Sequence, residues 1–172
     1  MAENIEIIPS VDEALKDYGV ETLEGRIGPL VKGEQCSAHY ILMPPGLYCG
    51  EHAHDSESII YTVSGQWVLA NRGKRTLMCE GSLFRFAKGE PTGYEVPFEE
   101  PALIIVFKGG AMPEKKEFLS YLEGLARRLE AARADGEAFQ IQDLPLEHPA
   151  RIFARELGER KPSTPHALSV EG

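Results

Sequence analysis

The sequence lacks long apolar runs. No stretch of its 172 residues approaches the ~18 consecutive apolar residues that a membrane-spanning helix needs. The first residues, MAENIEIIPS, contain neither the basic segment nor the apolar segment of a secretion signal. We therefore expect a cytoplasmic protein without a membrane partner.

Cysteine is scarce, and Cys36, Cys49 and Cys79 are widely spaced. An odd number of cysteines without a CxxC pair is not typical of a disulfide framework, a zinc finger or a redox centre. We expect these thiols to be reduced and buried.

An excess of basic residues is also missing. Lys and Arg number 18 against 27 Asp and Glu, which gives a formal net charge of −9. Because nucleic acids attract positively charged surfaces, this balance predicts no nucleic-acid partner. The hydrophobic fraction of 42% and the length of 172 residues are those of an ordinary globular protein with one core.

Three patterns divide the chain. Residues 1–32 form an N-terminal extension, in which Ser10 and Glu13 make a capping-box pattern for a helix of about two turns. Residues 33–110 contain short β-rich runs separated by turn residues every ten or so positions, a rhythm typical of an all-β barrel or jelly roll. The predicted strands are Cys36–Met43, Tyr48–His54, Ser58–Val63, Gln66–Ala70, Arg75–Cys79, Ser82–Phe86, Tyr94–Val96 and Ala102–Lys108.

Residues 111–158 are predicted to form a helical appendage. After Pro113 the apolar residues follow a helical period and end before Asp135 and Gly136. The apolar stripe consists of Phe118, Leu119, Leu122, Leu125, Ala126 and Leu129. A second helix is expected over Pro149–Leu157, and residues 159–172 are expected to form a flexible tail.

The segment most informative about function is His52-Ala53-His54. Residues two apart on a strand share a face, so both imidazoles point to the barrel interior if Ala53 faces outward. Imidazoles are ready ligands for a divalent first-row metal, and a carboxylate from the next strand would complete three positions. A pair of solvent-facing histidines is the alternative.

The surroundings of this pair resemble the first motif of the cupin superfamily, GxxxxxHxHxxx(x)ExxxxxxG, through Gly46, His52, His54 and Gly65. Residues 81–96 resemble the second motif, GxxxxxPxGxxHxxxN, and together the likeness spans about residues 35–108. The resemblance implies an antiparallel cupin-type jelly-roll barrel that encloses a small-molecule pocket.

The chain departs from both motifs at the positions of metal ligands. Ser58 or Ile59 stands where the family has its glutamate, and Thr92 replaces the histidine of the second motif. Glu57 lies one residue early, which on a strand turns a side chain to the opposite face unless a bulge intervenes. The ligand set implied by the resemblance is thus reduced to His52, His54 and Glu57.

Other side chains are candidates for the lining of the pocket, because aromatic residues with a few polar groups typically line ligand cavities. Arg85 would present a guanidinium to an anionic ligand if it faced inward. His39, on a neighbouring strand, could replace the missing fourth ligand but is interpreted as a structural histidine with its hydrogen bonds satisfied. Cys49 is placed on the opposite pleat from His52. The full set of predicted ligand-binding residues is Tyr48, Tyr61, Trp67, Arg85, Thr92 and Tyr94.

Three functions remain open on this basis. The first is a metal-dependent cupin that holds Fe, Mn, Ni or Zn and acts as a dioxygenase, isomerase or lyase. The second is a metal-free pocket whose histidines contact a small ligand, and the third is a barrel used only for assembly or regulation. Whether the protein is an enzyme stays open, because one fold hosts many activities. We expect a homodimer, since cupins commonly pair their barrels and the helical stripe needs a cover.

Overall fold

The computed structural model describes residues 5–110 and 113–159. Within these ranges the chain forms ten strands, three α-helices and one 3-10 turn. The strands are β1 Val20–Thr22, β2 Gly25–Lys32, β3 Cys36–Met43, β4 Tyr48–Ala53, β5 Ser58–Ser64, β6 Gln66–Asn71, β7 Lys74–Cys79, β8 Leu83–Phe86, β9 Pro91–Glu95 and β10 Ala102–Gly109. The helices are α1 Val11–Asp17, α2 Lys115–Ala134 and α3 Pro149–Glu159, with the 3-10 turn at Ile141–Asp143.

The strands form two antiparallel sheets. One has six strands in the order β1-β2-β3-β10-β5-β8, and the other has four in the order β4-β9-β6-β7. Residues from both sheets, such as Ile60, Ile104 and Trp67, pack into one buried cluster. The predicted fold class, an all-β jelly-roll barrel with flanking helices, is confirmed.

Strict alternation along the central strands decides which side chains face the barrel interior. On β10, Ile104 and Val106 belong to the interior cluster, whereas Leu103 and Ile105 pack on the outer face of the sheet. Successive strand residues point to opposite faces, so Lys108 continues the interior row of this strand.

The six-stranded sheet begins before residue 33, where we expected the barrel to start. Strand β2 pairs with β3 over most of its length, and β1 pairs with β2. Gly25, Gly28 and Pro29 obscured this strand, because glycine and proline in a strand are more typical of turns and bulges. The β2–β3 register shifts after Pro29, which has no N–H to donate to the ladder.

The helices occupy nearly the predicted positions. The Ser10 side chain caps α1 by accepting a hydrogen bond from the Glu13 N–H at 3.4 Å. Helix α2 buries Phe118 and Leu122 in a cluster with Ile27 of β2. Its apolar stripe is therefore covered by its own barrel, and the helix gives no reason to require a second subunit.

Two remaining expectations concern the cysteines and the chain end. All three cysteines are free, but Cys36 is exposed and Cys79 is only half-buried, so the prediction that each is buried holds for Cys49 alone. Helix α3 runs two residues beyond the predicted Leu157, and the rest of the expected flexible tail, residues 160–172, lies outside the described residues. No helix in the described ranges is long and apolar enough to cross a membrane.

Candidate ligand pocket of the barrel

A β-bulge in strand β4 arranges the polar side of the pocket. Cys49 lies opposite Tyr94 of β9, but His52 lies opposite Thr92, so two residues of β4 face one residue of β9. The extra residue returns Cys49 and His52 to the same face of the strand. Our placement of Cys49 on the opposite pleat is therefore wrong, because it assumed a regular strand.

Two contacts hold the bulge in place. A Cβ on Gly93 would lie 2.7 Å from the Cys49 carbonyl oxygen and 3.0 Å from the Glu51 nitrogen, so only glycine leaves room for the bulged backbone. The Glu51 carboxylate accepts hydrogen bonds from the Arg72 and Gly73 N–H groups at 2.5 and 2.9 Å. These bonds join the bulge to the turn between β6 and β7.

The barrel encloses a cavity of about 160 Å³, here called the barrel cavity. Its apolar wall is formed by barrel residues such as Ile41, Met43 and Phe86 and by α2, which lies over it through Phe118 and Leu122. The polar or titratable side chains that line it are Glu24, His39, Cys49, His52, His54, Ser58, Tyr94, Lys108 and Tyr121. A mostly apolar cavity with a few polar groups is the usual form of a small-molecule site.

His52 and His54 lie side by side at this cavity, with ring centroids 4.6 Å apart. His52 Nδ1 is 3.0 Å from the Gly50 carbonyl oxygen, which only accepts hydrogen bonds. Nδ1 is therefore the donor in this contact, and the neutral tautomer with its proton on Nδ1 has Nε2 as an acceptor. His54 Nε2 is hydrogen-bonded to Thr92 Oγ1 at 2.8 Å.

The environment keeps His54 neutral near pH 7. Burial, the neighbouring His52 and the ammonium of Lys108 lower the pKa of His54 to about 4. Thr92 Oγ1 in turn donates to the Tyr94 hydroxyl at 3.3 Å, and burial raises the pKa of Tyr94 well above its usual range. His54, Thr92 and Tyr94 thus form an uncharged hydrogen-bonded chain at one side of the cavity.

Cys49 completes the contacts around His52. Its sulfur is 3.8 Å from His52 Nδ1 and donates to Glu24 Oε1 at 3.5 Å. Burial and the Glu24 carboxylate raise the pKa of the Cys49 thiol well above its usual value. Because the thiolate is the reactive form, Cys49 is a poor nucleophile near pH 7.

Two buried polar atoms at the cavity have no hydrogen-bond partner among the described residues. They are Ser58 Oγ and His39 Nδ1, on side chains that are 1% and 8% exposed. An unpaired buried polar group costs about 1–3 kcal/mol, which a bound ligand removes if it supplies the missing partner. His39 is thus a buried cavity residue whose ring lacks one of its hydrogen bonds.

Several predicted site residues lie away from the cavity. Glu57 forms an ion pair with Arg85, and both side chains are exposed. Tyr61 is also exposed, on the outer face that it shares with Ile59 of the same strand. Trp67 is buried in the core, where its Nε1–H donates to Thr62 Oγ1 at 2.9 Å.

Of the predicted ligand-binding residues, Tyr94 lines the cavity, and Thr92 is hydrogen-bonded to His54, which lines it. Tyr48 lies outside it and packs edge-on against His148. Sequence reasoning missed Glu24 and Lys108, both of which line the cavity. Alternation on β10 would have identified Lys108, because it shares a face with Ile104 and Val106.

Comparison with known proteins agrees with this architecture. The cupin domain family model matches residues 39–108, the segment from His39 on β3 to Lys108 on β10. Residues 39–108 therefore form a cupin domain. No curated protein shows a significant match to this cupin.

Solved structures resemble it at the level of the fold. A Cupin 2 conserved barrel domain protein from Salinispora arenicola matches with a TM-score of 0.52 and 16% identity, over 76% of this chain and 99% of that one. TT1209 from Thermus thermophilus matches with a TM-score of 0.50 and 22% identity, over 62% and 98%. The DMSP lyase DddQ from Ruegeria pomeroyi matches with a TM-score of 0.43 and 22% identity, over 48% of this chain and 42% of the lyase. The matches to the Salinispora and Thermus proteins show a shared fold and leave substrates open.

The donors of this cupin do not fit the metal set of its family. Ser58 points into the barrel at the position of the family glutamate, and Thr92 stands at the position of the third histidine. Glu57 lies outside in its ion pair with Arg85. Residues 5–110 and 113–159 contain no group of three or more His, Cys, Asp or Glu side chains arranged to hold a metal ion.

Proposed function

We propose that this cupin binds a small organic molecule in the barrel cavity without a resident metal ion, and that His52 and His54 contact the molecule directly. The observation that carries the proposal is the replacement of carboxylate and imidazole donors by the Ser58 and Thr92 hydroxyls. Neutral hydroxyls are weak ligands for first-row metals but good hydrogen-bonding partners for an organic ligand.

The two imidazoles supply different hydrogen-bonding functions. His52 donates its Nδ1 proton to the Gly50 carbonyl and offers the Nε2 lone pair to a ligand. His54 is held by Thr92 at Nε2 and packs against Phe86, with ring centroids 4.6 Å apart. Both residues line a mostly apolar cavity, His54 half-buried and His52 exposed. Their hydrogen bonds would fix the orientation of a ligand that the apolar walls bind.

A thermal-shift screen tests the proposal. Ligands that bind the folded state raise its melting temperature by mass action, so at least one small molecule from a chemically diverse panel should stabilise the parent. His52→Ala and His54→Ala should reduce that shift, whereas Glu57→Gln, on the outer surface, should leave it unchanged. Equal shifts in the parent and both histidine variants would refute the role of the pair.

Metal analysis distinguishes the alternative. Tag-free protein is incubated in turn with Fe²⁺, Mn²⁺, Ni²⁺ and Zn²⁺, desalted and analysed for bound metal. We expect well under one ion per chain in each case. One ion per chain that is lost in His54→Ala would contradict the metal-free pocket and support a metal-dependent cupin.

We also propose that a second copy of this chain packs on the outer face of the six-stranded sheet. Phe107 is paired with Ile59, and Tyr61 with Leu83, so these side chains adjoin on one face. All four are large, apolar and exposed, and Leu83 is 64% exposed. A contiguous apolar patch of this kind marks an interaction surface, and cyclic dimers are the commonest symmetric assembly.

Sedimentation velocity tests the assembly. The parent should sediment as a dimer and Leu83→Asp, which buries a charge in the interface, as a monomer. Leu77→Asp is the matched control, because Leu77 is an exposed apolar residue of the other sheet. A monomeric parent, or a Leu83→Asp dimer, would contradict this arrangement.

A further inference from the structure

One inner row of the six-stranded sheet carries three polar side chains on adjacent strands. Ser37 of β3 and Ser58 of β5 both lie directly opposite Lys108 of β10. Side chains directly opposite each other on antiparallel strands have Cβ atoms about 5 Å apart. The Lys108 stem is therefore flanked on both sides by serine hydroxyls.

Both serines are buried, and neither hydroxyl has a hydrogen-bond partner among the described residues. Within residues 5–110 and 113–159, no acidic side chain lies within 4.0 Å of the Lys108 ammonium. His39, on the next inner position of β3, adds an imidazole nitrogen that is also without a partner. Of these groups, Lys108, Ser58 and His39 line the barrel cavity.

We infer that Lys108, Ser58 and His39 form a subsite for the carboxylate group of a small organic acid bound in the barrel cavity. The inference rests on the proposed function and adds the chemical class of the ligand. An ammonium, a hydroxyl and a neutral imidazole each donate a hydrogen bond, and a carboxylate has about four acceptor positions. The lowered pKa of His39, which follows from burial and the Lys108 charge, keeps that imidazole neutral beside the ammonium.

The size of the cavity limits the rest of the acid. The barrel cavity measures about 160 Å³, and an apolar cavity of roughly 150 Å³ accommodates benzene. Apolar walls such as Phe86 and Leu122 suit a short alkyl chain or one ring. Glu24 also lines the cavity and would repel a second carboxylate near Cys49, which favours monocarboxylates.

The test compares acids with their uncharged amides of the same shape. Acetate, propionate, butyrate and benzoate are each titrated against the parent by thermal shift and calorimetry, beside acetamide, propionamide, butyramide and benzamide. At least one acid should bind about tenfold or more tightly than its amide, because hydrogen bonds to a charged group are the strong ones. Lys108→Met and Ser58→Ala should reduce that preference, Lys108→Arg should retain part of it, and Lys74→Met, on the other sheet, should leave it unchanged.

The outcomes separate this inference from the proposed function. If acids and amides bind equally well and both depend on His52, the cavity binds small molecules but the carboxylate subsite is refuted. If an acid preference persists in Lys108→Met, the subsite is likewise refuted. If neither series binds the parent, the carboxylate subsite is refuted, and the thermal-shift screen with other molecules decides the proposed function. Melting temperatures without ligand confirm that each variant is folded.

Discussion

The buried His39 predicts how stability depends on pH. Burial and the Lys108 charge lower the pKa of this imidazole from 6.5 to about 3 in the folded chain. The folded state therefore stays unprotonated at His39 as the pH falls below 6.5, whereas the unfolded chain takes up a proton. Because the unfolded state binds more protons, the free energy of unfolding decreases between about pH 6.5 and pH 3.

The size of the effect follows from the two pKa values. With values of 6.5 and about 3, the linkage relation gives a loss of about 2 kcal/mol between pH 7 and pH 5. His54, whose pKa is lowered to about 4, shifts stability in the same direction. Its contribution is smaller than its pKa suggests, because the ring is only half-buried and solvent screens it.

Urea denaturation at pH 7 and pH 5 measures this loss. His39→Gln removes the titrating group and keeps a polar side chain, so its loss of stability between the two pH values should be about 2 kcal/mol smaller than that of the parent. His39→Leu should show the same reduced dependence. An identical pH dependence in the parent and both variants would refute the buried, neutral state of His39.

Three further predictions concern the bulge, the outer surface and the missing ligands. Gly93→Ala should lower the free energy of unfolding by about 1–3 kcal/mol in urea denaturation, since the alanine Cβ meets backbone atoms of β4 that cannot move aside. An unchanged free energy of unfolding would contradict the bulge. Glu57→Gln should change the free energy of unfolding by less than about 1 kcal/mol, as expected for an exposed ion pair with Arg85, and a larger loss would place Glu57 in a buried site. The double variant Ser58→Glu and Thr92→His should bind Zn²⁺ or Ni²⁺ more tightly than the parent in calorimetry, because it places a carboxylate and an imidazole next to the histidine pair. Unchanged affinity would show that these positions do not face a common point.

Much of the barrel could be predicted from local pattern. Alternation and turn residues located most of the strands from β3 to β10, because one face of each strand is buried and the register is thereby fixed. Strand β9 is the exception, since it runs over Pro91–Glu95 and not over the predicted Tyr94–Val96. The alternation rule also indicated that Glu57, one residue before Ser58, would face away from the barrel interior, and its side chain is exposed. Strand β2 was missed since Gly25, Gly28 and Pro29 carry no β-signal of their own, and pairing with β1 and β3 is what makes the segment a strand.

The polar side of the cavity was harder to predict, because it depends on contacts between distant segments. The bulge that turns Cys49 inward requires Gly93 of another strand, and the sequence of β4 alone does not predict this bulge. The run Leu83-Phe84-Arg85-Phe86 does not reveal which face is interior. Pairing of β8 with β5 decides it, and places Arg85 opposite the exposed Ile59.

A crystal structure of tag-free protein soaked with benzoate shows directly whether the barrel cavity holds an organic molecule or a metal ion. We expect benzoate inside the barrel, with its carboxylate at Lys108, Ser58 and His39 and its ring in contact with His52 or His54, and no metal ion between the two imidazoles. A metal ion bound by both imidazoles, or a barrel that stays empty while benzoate lies on the outer surface, would contradict it.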